Sequence, residues 1–99
     1  MVFIQLIKLT GDKKKYKAIF YDDDRKKIKT TKFGSAGMSD YTKHKDKERR
    51  KRYLDRHRAR ENWMDYKSAG SLSRYILWNL PTIKESLNSY RKRFNLKMY

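Results

Sequence analysis

The sequence has no cysteine, a single proline and only two histidines. Without cysteine there are no disulfides, no thiolate zinc sites and no thiol nucleophile, and a reducing compartment such as cytosol or nucleus suits the composition. No segment approaches the roughly 20 apolar residues that span a bilayer. The opening Met1 to Lys8 stretch is too short and too soon charged to read as a secretion signal. Acidic residues are also few, 11 against 27 Lys and Arg, which leaves a formal net charge of +16.

What is present is charge and aromatic carbon. Charged residues make up 38% of the 99 positions and hydrophobic ones 37%, so one thin-cored domain is expected. A chain of this size buries only about two-thirds of the surface it exposes when unfolded. Eight Tyr, four Phe and two Trp supply most of the large apolar side chains. These anchors separate the chain from a disordered basic tail. Self-repulsion at +16 opposes compaction unless a polyanion lies nearby, and nucleic acid, an acidic protein surface and an anionic membrane are the partner classes.

Residues 1–33 read as a three-stranded antiparallel meander. Val2 to Leu9 is apolar and β-branched, Thr10 to Lys13 is turn chemistry, and Tyr16 to Tyr21 forms the second strand. Asp22-Asp23-Asp24-Arg25 makes a second turn before a Lys-rich third strand, Lys26 to Phe33, suited to a sheet edge. A Gly-rich connector occupies 34–38. Ser39 or Asp40 can cap the basic helix expected over 39–62. Within it Asp46 with Arg50, and Glu48 with Arg52, have the favourable i, i+4 order.

Ser68 to Ser71 breaks the chain, and two shorter helices are expected over 71–94. The first ends at Asn79-Leu80-Pro81. The second opens on Thr82 with Glu85 three residues on, the capping-box spacing, and carries one apolar stripe of Ile83, Leu87, Tyr90 and Phe94. The expected fold class is α+β: the meander, then three helices.

The basic helix carries the candidate site. Lys45, Arg49, Arg50, Arg52, Arg56 and Arg60 are its expected contacts to a polyanion, with Arg and Lys acting on phosphates without reading bases. Solubility alone needs far less charge. Tyr41, Tyr53, Trp63 and Tyr66 flank this stretch and could stack on unpaired bases, but in a chain so poor in aliphatics they are expected in the core.

Catalytic chemistry is not in evidence. His44 and His57 on one straight helix would stand about 20 Å apart and could not share a metal. The Asp22 to Asp24 run can offer carboxylates to a divalent cation, yet it reads as an ordinary turn. Gly34-Ser35-Ala36-Gly37 precedes a helix, as a phosphate cradle would, but lacks the Gly-Lys-Ser/Thr ending of a nucleotide-binding loop. The expectation is a non-enzymatic binding protein with no cofactor, no metal and no small-molecule substrate.

The run Phe33 to Asp46, with Arg49, Tyr53, Arg56-His57, Glu61-Asn62-Trp63, and Ala69-Gly70 through Leu77-Trp78, resembles a family of small basic proteins of large double-stranded DNA viruses. Those viruses infect algae and protists, and the family has no assigned activity. The resemblance spans Lys32 to Phe94 and implies a setting rather than site residues: the virion, and host cytoplasm or nucleus during infection. In that setting two roles follow, sequence-independent genome binding, or a minor capsid component whose charge meets acidic capsid subunits.

Overall fold

The structure, a computed structural model, describes residues 1–99. It has the expected α+β class. Strands β1 (Val2–Lys8), β2 (Lys14–Tyr21) and β3 (Lys27–Ser35) form the antiparallel meander. The acidic turn between β2 and β3 is local chemistry: Asp22 accepts the backbone N–H of Asp24 and of Lys26, and Arg25 takes the left-handed conformation. No group of acids and histidines that could hold a metal ion forms anywhere in the chain.

The sheet is larger than the meander. A fourth strand, β4 (Leu96–Met98), lies parallel to β1, giving the order β3-β2-β1-β4. Asn95 makes this possible: at φ 55° it ends the last helix and turns the chain directly into β4, a conformation asparagine tolerates better than most residues. Tyr99 extends the ladder by donating its N–H to the Ile4 carbonyl and stacks on Tyr21 with ring centroids 3.7 Å apart.

The helices also divide differently from the expected three. The basic stretch is two helices, α1 (Tyr41–His44) and α2 (Lys47–Arg58), separated by Lys45 at φ 55°. Both starts are capped by aspartate. Asp40 accepts from Thr42 N–H, and Asp46 accepts from Glu48 and Arg49 N–H. Asp46 therefore serves as a cap and does not pair with Arg50, and Glu48 with Arg52 forms no ion pair either. The segment after α2 reaches α3 (Ala69–Leu72), which runs into a π-helical turn over Ser73–Leu77. The capping box holds at α4 (Ile83–Phe94): Thr82 Oγ1 accepts from Glu85 N–H and donates to its carboxylate.

Alternation along the strands decides the layers. Ile4, Ala18, Phe20, Phe33 and Leu96 point to one face, against Leu72 of α3, Tyr75, Ile76 and Leu77 of the π-helical turn and Tyr90 of α4. Ile83, Leu87 and Phe94 of the expected stripe pack at the margin of this cluster. Each large side chain so buried contributes on the order of 1.5–3 kcal/mol. Tyr66 and Trp63 join the same margin, so these aromatics serve the core.

Gly34 sits where β3 passes the π-helical turn, at φ +76°, and a β-carbon there would lie 2.7 Å from Leu77 Cδ1. The atom it meets is the far end of the Leu77 side chain, so the contact can be relieved by a small rotation while the backbone conformation cannot. Gly34→Ala is expected to cost about 1–2 kcal/mol, chiefly the left-handed penalty, read as a lower urea midpoint at unchanged slope.

Candidate functional site

Helix α2 stands away from the sheet, and contacts within its own sequence do not explain its position. Two devices hold it. Tyr53 stacks face to face on Trp78, centroids 4.2 Å apart and planes within 3°. Arg50 donates from Nε to the Trp78 and Asn79 carbonyls at 3.1 and 3.0 Å, with its guanidinium 5.7 Å from the Tyr41 ring centre. His57 stacks on Tyr53 at 4.2 Å, and His44 lies against Trp78 at 5.3 Å. The two histidines are thus the ends of one four-ring ladder, His44–Trp78–Tyr53–His57. They lie on separate helices, not on one continuous helix.

Clamped this way, α2 forms one wall of a cleft of about 1090 Å³. Arg49, Arg52 and Arg56 project into it from one helix face, at i, i+3 and i+7. The opposite wall is the end of the meander and the connector, with Lys14, Lys15, Gly34, Ser35 and Met38. Ser73, Leu77 and Trp78 also line it. Acids are present as well. Asp40 is buried and paired with Lys15, Glu61 faces His57 Nδ1 at 3.6 Å, and Asp55 lies at the rim of α2. The Glu61 carboxylate lies against Gly70, where a β-carbon would fall 1.7 Å from Oε2.

Of the six expected contact residues, three meet in the cleft: Arg49, Arg52 and Arg56. Arg50 does not, because its side chain ties α2 to the Trp78–Asn79 backbone. Lys45 occupies the helix break, with Nζ on the Thr42 carbonyl at 3.2 Å. Arg60 is exposed just beyond the end of α2, outside the cleft. Lys14 and the Trp78 platform were not anticipated. The glycine-rich connector before a basic stretch was the one sequence signal pointing at the facing wall.

The electrostatics favour an anion more than acid–base chemistry. Among all the Lys and Arg side chains, only Lys15 and Lys32 pair with a carboxylate within 4.0 Å. Tyr53 is pushed up to about 12 by burial, with Glu61 adding to it, so its hydroxyl stays protonated. His44 is held below its ordinary value, first by burial and then by the charge of Arg49. Its Nδ1 accepts the Asp46 N–H at 2.9 Å, a bond that requires the neutral ring.

The fold therefore favours neutral His44, and the unfolded chain takes up the proton first. Stability is expected to be complete above about pH 6.5 and to fall as the pH drops below that value toward the depressed native pKa. Urea midpoints at pH 7.5 and 5.5 should fall for the wild type, and fall less for His44→Gln.

No helix of the chain is long and apolar enough to cross a membrane. No curated protein matches the sequence, and no solved structure does. A model for a family of unknown function (DUF5754) matches residues 4–57, more than half the chain, and it includes the N-terminal strands as well as most of α2. The chain belongs to that family.

Proposed function

We propose that this protein is a non-enzymatic, sequence-independent binder of nucleic acid, which it grips by the phosphate backbone in the cleft between α2 and the connector. The observation that carries the reading is the set of three guanidiniums, Arg49, Arg52 and Arg56, aligned on one face of α2 and free of ion pairs. A helix only 12 residues long and held by Tyr53 and Arg50 presents them at fixed spacing. Such contacts give affinity and salt dependence without base readout. Neutralisation of a packaged viral genome would use this property, and the viral resemblance supports the virion as the setting of this reading.

The test is binding to a labelled 30-base-pair duplex across a salt series, beside poly-glutamate as an acidic polymer without phosphates. A steep loss of affinity with salt and a clear preference for the duplex are expected. Equal binding to both polymers would overturn the reading.

One observation favours a second role, as a minor capsid component. The face of the sheet away from the core carries Phe3, Ile7, Ile19 and Tyr21 beside Lys17, and the Lys-rich β3 is an edge strand. An acidic capsid subunit could pair with that Lys-rich edge. Co-purification with capsid subunits after nuclease treatment would favour this role over genome binding.

A further inference from the structure

Outside the cleft, Arg50 and Arg74 share a carbonyl, and Arg74 and Arg93 share an aromatic ring, with no carboxylate paired to any of them. Arg50 and Arg74 both donate to the Trp78 carbonyl, at 3.1 and 3.4 Å, so two full positive charges share one neutral oxygen. Arg74 lies over the Trp63 and Tyr75 rings, 5.3 and 4.8 Å from their centres. Arg93 lies over the same Tyr75 ring at 4.8 Å. None of the three has a carboxylate within 4.0 Å.

The geometry points to a binding site for a phosphate group, formed by Arg50, Arg74 and Arg93. A guanidinium presents a planar fork of donors that matches phosphate oxygens two at a time, and a dianion would offset the mutual repulsion of three cations. The aromatic rings fix Arg74 and Arg93 in place, so little side-chain freedom is left to lose on binding. Donors exceed acceptors here: Arg74 Nε and the Trp63 indole N–H are buried with no partner. Burial first, then the charge of Arg50 and after it that of Arg93, hold Arg74 below the ordinary arginine range. The π-helical turn contributes by carrying Arg74 on the segment that ends at the shared Trp78 carbonyl. This site does not rest on the reading of the cleft.

Two sources of phosphate are chemically equivalent at this site, free inorganic phosphate and a nucleic-acid backbone. Thermal unfolding in sodium phosphate against sodium chloride at equal ionic strength tests the site directly. At tenfold the dissociation constant, a rise in Tm of roughly 6–10 °C is expected for the wild type. Arg74→Gln should abolish the rise. Arg93→Gln, a change at an exposed position that leaves the core intact, should at least halve it. Lys47→Gln, at an exposed position of α2 outside the cleft, should leave it unchanged.

No phosphate-specific rise in the wild type, or an equal rise in both site variants, would overturn the proposal. Duplex binding identifies the source. A threefold or greater loss of duplex affinity in Arg93→Gln assigns the site to backbone phosphate. Unchanged duplex affinity with a lost phosphate response assigns it to free phosphate. Either result supports the site, and neither depends on whether the cleft binds nucleic acid.

Discussion

Replacing Arg49, Arg52 and Arg56 together by Gln is expected to weaken duplex binding roughly 100-fold at 0.1 M salt, and to flatten the log–log salt dependence by about 2–3. The reasoning is geometric. These three side chains share the cleft face of α2, and none is neutralised by a carboxylate. Each phosphate contact releases condensed counterions, and each lost contact removes about 0.9 from the slope. The control removes equal charge from the far side of the same helix. Lys47, Lys51 and Arg58 lie away from the cleft at helical spacing, and their replacement by Gln should change the slope little. Equal losses in the two triple variants would mean that net charge alone governs binding and that the cleft has no special part in it.

Asp40→Ala is expected to destabilise the fold by about 3–5 kcal/mol, the largest effect of any single substitution considered. Asp40 is 2% exposed, and the Lys15 side chain that pairs with it is 9% exposed. The same carboxylate caps α1 through Thr42 N–H and accepts from the Thr42 hydroxyl. Removing it strands a buried ammonium and uncaps the helix in one step. A domain of this size has on the order of 5–15 kcal/mol in total, so a substantial unfolded population follows.

The double variant Lys15→Met with Asp40→Leu removes both charges. It should recover most of the loss, leaving roughly the 1 kcal/mol due to the cap. Urea unfolding of Lys15→Met, Asp40→Leu and the double variant measures the coupling. A loss below about 1 kcal/mol for Asp40→Ala would show that the pair is not buried in solution.

Much of this arrangement was legible from residue order because its causes are local. Turn residues flank β1 to β3, Thr82 and Glu85 announce α4, and the spacing of Ile83, Leu87, Tyr90 and Phe94 identifies its inner face. What stayed hidden depends on partners distant in sequence. β4 is three residues long and forms only because β1, at the other end of the chain, offers an open edge.

The break at Lys45 was masked by strong helix formers on both sides and by reading Asp46 as a salt-bridge partner when it is a cap. The candidate site was half visible. Charge density on α2 marked Arg49, Arg52 and Arg56, but only the fold distinguishes them from Arg50. That distinction comes from Trp78, 28 positions away, whose carbonyl and ring fix the rotation of the helix.

The most direct measurement of the central claim is an amide chemical-shift titration of the whole chain with a 30-base-pair duplex. The largest shifts are expected at Arg49, Arg52 and Arg56 and across the facing wall at Lys14 and Ser35, with Phe3 and Ile7 on the sheet face away from the core unmoved. Shifts concentrated on that sheet face, with α2 and the connector silent, would contradict the account.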